Sequence, residues 1–103
     1  MNFKILSKQV HQLNSQIGGQ WESQWQLLWI VEEVGELSRE LQKLQNLPAK
    51  LHADSPSDIQ NKLTEELGDV LYGLVSLAKS LDIEPEDALA FSLRKFQKRH
   101  GMN

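Results

Sequence analysis

The chain has 103 residues, 40% of them hydrophobic and 24% charged, with no cysteine and a formal net charge of −3. That length suits one domain over residues 1–103, and the missing cysteine excludes disulfides, thiolate metal sites and cysteine nucleophiles together. The mild acidity argues against a nucleic-acid polymer as partner, and no apolar run approaches the roughly 20 residues that span a bilayer. No signal-peptide pattern opens the chain, so a cytoplasmic protein away from membranes is expected.

The first element runs from Phe3 through Ile5, Leu6, Val10 and Leu13 to Ile17 at a helical period, ended by Gly18 and Gly19. A second helix is expected from about Trp21 to Asn46, with Ile30, Val34, Leu37, Leu41 and Leu44 on one stripe. Leu47-Pro48 closes it, and the polar stretch AKLHADSPSD reads as a connector, with Asp54, Ser55 and Ser57 as candidate N-caps. A third helix carries Ile59, Leu63, Leu67, Val70, Leu74, Leu77 and Leu81. The tetrapeptide DIEP interrupts the pattern, and Pro85 suits the first turn of a fourth helix that ends in RKFQKRH. The expected fold is all-α, a four-helix-type bundle. So short a chain buries a limited share of its surface alone, and oligomerisation would complete it.

One motif occurs twice. Ile30–Leu37 reads IVEEVGEL and Leu63–Val70 reads LTEELGDV, offset by 33 residues. At 3.6 residues per turn, Glu33 and Glu36 lie roughly 60° and 120° to one side of their apolar stripe. Glu66 and Asp69 lie at the same offsets from theirs. Each pair is spaced i, i+3 and sits on the shoulder of the core face. If the two helices pack antiparallel, four carboxylates converge.

Clustered, partly buried acids repel and need a cationic partner. Four oxygen donors suit a hard divalent ion, Mg²⁺ with Mn²⁺ as a substitute. The histidines, His11, His52 and His100, do not form the Glu-x-x-His pattern of redox di-iron bundles. Mg²⁺ takes phosphate oxygens as further ligands, so a polyphosphate substrate is expected.

The residues Glu32-Glu33-x-x-Glu36 followed by Glu66-x-x-Asp69 resemble the EExxE…ExxD signature of the MazG-like all-α nucleoside triphosphate pyrophosphohydrolases. The resemblance extends from WESQW to the basic KFQKR near the end. It implies a Mg²⁺-dependent enzyme, active as a homo-oligomeric dimer or tetramer, that cleaves a (deoxy)nucleoside triphosphate to monophosphate and pyrophosphate. A housecleaning role in the nucleotide pool goes with it. Carried over by motif position, Glu33, Glu36, Glu66 and Asp69 resemble the metal ligands. Glu32 would sit beside them, holding a further metal or orienting the attacking water. Lys95 and Arg99 fall where the family places phosphate-binding cations.

Two features depart from the family pattern. Leu93 stands where Asn is common, and the spacer between the acidic motifs is long. The competing reading is a non-catalytic helical bundle that binds nucleotide or metal in regulation or assembly, and Leu93 favours it. A phosphoribosyl-ATP hydrolase is a further option within the superfamily.

Other residues are read beside these. Trp21, Trp25 and Trp29 recur every four residues, and Trp25 and Trp29 share the acidic sector. They either pack or form a wall for a nucleobase. Gly73 would leave room for a substrate, while Gly35 and Gly68 would permit close helix approach. Glu40 either extends the acidic sector or pairs with Lys43. Glu65 is expected to be exposed. Arg94 and Lys98 either complement the helix macrodipole or add to the basic cluster.

Overall fold

The computed structural model describes residues 2–18, 22–46 and 56–102. Four α-helices make up the fold: α1 (Phe3–Ile17), α2 (Ser23–Asn46), α3 (Pro56–Ser80) and α4 (Pro85–Arg99). The described residues contain no strand, as the all-α pattern predicts.

Each boundary has a local cause. Asn2 caps α1 by accepting the Ile5 backbone N–H at 2.9 Å. Gly18 ends that helix in the left-handed conformation, φ 72°, which a glycine adopts without steric cost. Helix α3 starts at Pro56, so the end of the expected polar connector is helical and Ser57 lies inside the helix, not at its cap. Proline suits a first helical position because its missing N–H would be unsatisfied there anyway. The candidate caps Asp54 and Ser55, together with Trp21, Gly19 and His52, lie outside the described residues.

Helices α3 and α4 end in the same way. Beyond α3, Ile83 N–H reaches back to Ala78 O at 2.8 Å and Asp82 N–H to Lys79 O at 3.2 Å. Asp82 takes the left-handed position, φ 57°. Beyond α4, Met102 N–H reaches Gln97 O at 2.7 Å and Gly101 N–H reaches Lys98 O at 3.2 Å, with Gly101 at φ 70°. Both are Schellman closures that satisfy the last carbonyls of a helix. Helix α4 carries Glu86 and Asp87 in its first turn and Lys98 and Arg99 in its last, matching its dipole.

The chain divides into two compact units. Residues Gln24–Leu74 form one, and Met1–Ser23 with Val75–Asn103 form the other. In the second unit α1 packs on α4. There Asn14 Nδ2 donates to Ser76 Oγ at 2.9 Å, and the Ser23 and Ser80 hydroxyls meet at 3.2 Å. Lys79 Nζ binds Glu84 Oε2 at 2.9 Å. Ser7, fully buried, donates to Phe3 O one turn back at 2.8 Å, which satisfies its hydroxyl within α1.

In the Gln24–Leu74 unit, the buried apolar side chains are Ile30, Ile59 and Val70. Other members of the expected core stripes stay open: Val34, Leu41, Leu44, Leu67 and Leu74 are each at least 40% exposed. Two helices can bury only the stripe that faces the neighbour, so the flanks of a wider apolar face are left without cover.

Candidate metal centre

Helices α2 and α3 meet through two turns of each. At the outer turn Gly73 lies against Trp29 and Ile30. At the inner turn Glu33, Glu66 and Asp69 bring one carboxylate oxygen each to within 4.8 Å of one another. Moving from Trp29 to Glu33 along α2 accompanies a move from Gly73 to Asp69 and Glu66 along α3. The two helices therefore run antiparallel, the arrangement in which the acid shoulders converge.

Three of the four expected carboxylates thus form one cluster, and all are half-buried. Glu36, also half-buried, stands beside Glu66 and raises its carboxyl, though it is not one of the three that share the 4.8 Å cluster. The pairing follows from the repeat. The 33-residue offset makes Glu33 equivalent to Glu66 and Glu36 equivalent to Asp69. Exchanging the two motifs therefore carries the Glu33–Asp69 pair onto the Glu66–Glu36 pair.

The electrostatics are those of a site short of positive charge. Burial pushes the Glu33 carboxyl above its ordinary 4.5, and repulsion from Glu36, Asp69 and Glu32 adds to it. Burial also raises Glu66, followed by its hydrogen bond with Glu36 and repulsion from Glu36, Glu33 and Asp69. Oε2 of Glu33 and Oε2 of Glu66 are closed to solvent with no donor to satisfy them. Buried carboxylate oxygens normally have a donor or a cation. This donor set, all hard oxygen, with buried lone pairs aimed inward and raised proton affinity, fits a divalent cation such as Mg²⁺ or Mn²⁺.

The remaining candidates fall into distinct places. Glu32 and Glu65 are exposed. Glu40 pairs with Lys43 at 3.0 Å through Oε1, while its Oε2 is buried with no partner. Trp25 is 60% exposed on α2. Trp29 is half-buried, its six-membered ring edge over Gly73.

The glycine readings are reversed. A Cβ placed on Gly73 would lie 2.7 Å from Trp29 Cζ3 and 2.8 Å from Ile30 Cγ1, so Gly73 is where the helices approach and offers no room for substrate. Gly35 and Gly68 have nothing within 4 Å of such an atom, so they do not serve a close approach among the described residues. Helical period alone places a glycine on a face. It does not say what stands opposite.

Lys95 and Arg99 are exposed on α4, in the other unit. Lys95 Nζ lies 5.0 Å and Arg99 Cζ 5.4 Å from the centroid of the Phe96 ring. The two cations share that ring, which holds their charges in one sector of the helix. Sequence reading did not assign Phe96 this part, and its only signal was its position between the two.

Residues 22–102 match the family described as MazG nucleotide pyrophosphohydrolase domain. A Bacillus subtilis (strain 168) protein, described as uncharacterized protein YpjD, is 42% identical over 71 residues, covering 68% of this chain and 60% of that protein. The nucleoside triphosphate pyrophosphohydrolase/pyrophosphatase MazG of Thermotoga maritima is 29% identical over 94 residues, covering 91% of this chain and 31% of that protein. This chain therefore spans less than two thirds of the length of either relative. A crystal structure of YPJD from Bacillus subtilis, named there as a candidate pyrophosphatase, is similar with a TM-score of 0.76 at 34% identity. That match covers 93% of this chain and 95% of that one. With the family match extending over most of its length, the chain belongs to the MazG nucleotide pyrophosphohydrolase domain family.

Proposed function

We propose that this chain, as one domain over 1–103, is a Mg²⁺-dependent nucleotide pyrophosphohydrolase. It converts a (deoxy)nucleoside triphosphate to monophosphate and pyrophosphate in cytoplasmic housecleaning. The observation that carries the reading is the cluster of Glu33, Glu66 and Asp69 oxygens within 4.8 Å of one another. Family membership supports the reaction class.

In this reading Glu33, Glu36, Glu66 and Asp69 hold the divalent ion. When bound, such an ion neutralises phosphate charge and makes a coordinated water more acidic. Burial and mutual repulsion raise the proton affinity of Glu33 and Glu66, and a bound cation would offset that repulsion. Glu32, exposed one residue before Glu33, orients the attacking water or takes its proton. Lys95 and Arg99 offer charge to the phosphate chain as it separates. Trp25 has a free face for a nucleobase, and Trp29 offers what its contact with Gly73 leaves open.

A homo-oligomer belongs to the proposal. Val34, Leu41, Leu67 and Leu74, exposed on α2 and α3, are apolar surface that a second copy would cover.

The test is a panel of nucleoside and deoxynucleoside triphosphates incubated with the full chain and Mg²⁺. Monophosphate and pyrophosphate should appear from at least one member and vanish with chelator. No such product from any member, or an undiminished yield from Glu33→Gln, removes the reading.

A further inference from the structure

Gly73, a buried residue inside α3, lies directly against α2. Glycine weakens a helix interior, so its presence there calls for a packing reason. Trp29 Cζ3, Ile30 Cγ1 and Trp29 Cε3 would stand 2.7, 2.8 and 3.1 Å from a Cβ at this position. Neither neighbour yields easily. The indole is a rigid plate, and Ile30 is 5% exposed with its Cγ1 next to the branch point of a stiff side chain. Gly18, Gly35, Gly68 and Gly101 show nothing within 4 Å in the same comparison.

The position of this contact relative to the acids gives it a consequence. Gly73 is one turn from Asp69, and Trp29 is one turn from Glu33. Packed helices transmit displacement, so a widening at Gly73 and Trp29 is carried to the cluster. Glutamate side chains adjust over two methylenes; Asp69, with one, must follow the α3 backbone.

We propose that Gly73, with the Trp29 ring laid on it, is a positioning element that sets the α2–α3 separation for a small divalent ion. This rests on the metal-site reading of Glu33, Glu66 and Asp69 given above. Mg²⁺ requires oxygens at about 2.0–2.1 Å in near-octahedral geometry, whereas Ca²⁺ accepts about 2.3–2.6 Å and looser arrangements. Opposite oxygens on Mg²⁺ are therefore about 4.2 Å apart. The three oxygens of the cluster, all within 4.8 Å of one another, are close enough to share one ion of either size, so the helix separation decides between them. A few tenths of an ångström of added separation favours the larger ion.

The experiment measures Mg²⁺ and Ca²⁺ affinity of the full chain by calorimetry without nucleotide. The variants are Gly73→Ala, Trp29→Ala and, as a control with the same chemical change on the same helix, Gly68→Ala. Gly73→Ala should lower Mg²⁺ affinity about tenfold or more and Ca²⁺ affinity by less, so the Mg²⁺/Ca²⁺ ratio falls. Gly68→Ala should leave both unchanged. Trp29→Ala, which removes the plate from the opposite side, should also lower Mg²⁺ affinity, and it decides the matter if Gly73→Ala does not fold. A tryptophan that only stacks on a base has no reason to alter metal binding when no nucleotide is present. Unchanged affinities and ratio in these variants overturn the proposal, as does an equal loss in Gly68→Ala. A parent chain whose Mg²⁺ uptake survives Glu33→Gln overturns it together with the metal site. A parent chain that binds Mg²⁺ at the cluster but leaves all nucleotides intact overturns only the pyrophosphohydrolase reading.

Discussion

Across the antiparallel contact Glu36 on α2 stands beside Glu66 on α3, whose carboxyl is raised first by burial and then by that neighbour. Together with the equivalent approach of Glu33 to Asp69, this pairing makes the bare site a place where negative charge is stored at a cost.

The pH dependence of stability follows from that cost. In the window above 4.5, where Glu33 and Glu66 keep protons longer when folded than when unfolded, stability falls as pH rises. Glu84 acts oppositely. Its hydrogen bond to Lys79 lowers its carboxyl despite burial, with Lys79, Lys4 and Lys8 adding attraction, so its contribution is present above 4.5 and lost below it. Thermal unfolding with chelator present should therefore give a melting temperature that rises as the pH is lowered toward 4.5 and then falls below it. Excess Mg²⁺ should flatten the upper limb. A chelated chain whose stability shows no rise anywhere as the pH is lowered toward 4.5 would contradict the electrostatics described for the cluster.

Removing one acid should separate stability from function. Glu33→Gln and Glu66→Gln are expected to raise the melting temperature of the metal-free chain while lowering Mg²⁺-dependent turnover on the order of 10²–10³-fold. The check is paired thermal scans and product assays on the same samples. A variant that loses activity only because it unfolds would show the melting temperature moving the other way.

The basic pair on α4 should act on substrate and leave the fold alone. Lys95→Ala and Arg99→Ala change exposed side chains, so stability should stay within about 0.5 kcal/mol of the parent. Each should lower kcat/KM about tenfold, equivalent to about 1.4 kcal/mol. Steady-state kinetics at several salt concentrations tests this. Values equal to the parent's would confine both residues to the helix dipole and the Phe96 ring.

The glycines offer a stability series. Gly18→Ala places a side chain at φ 72° and should destabilise the chain by about 1–2 kcal/mol. Gly35→Ala and Gly68→Ala add a methyl group to open space within a helix and should stabilise it by about 0.5–1 kcal/mol each. Denaturant titration reads all three. A loss of stability at Gly35 or Gly68 would mean that a second copy of the chain occupies the space beside it.

Helical period, the capping residues and the repeated acidic motif made most of this protein legible in one dimension. Phe3–Ile17 as a helix, Gly18 as its end and Pro85 as the start of another follow from side-chain size, backbone freedom and a missing N–H. The angle of Glu33, Glu36, Glu66 and Asp69 around their own helices is equally local, and so is the exposure of Glu65. What the two helices do to each other is not local. The pairing of Glu36 with Glu66, the reversal of roles between Gly73 and Gly35 or Gly68, and the seating of Trp29 depend on register and separation. Those are set by which side chain fills the space opposite. A glycine carries no chemical mark of what it faces, so only the tertiary contact could assign Gly73 to Trp29.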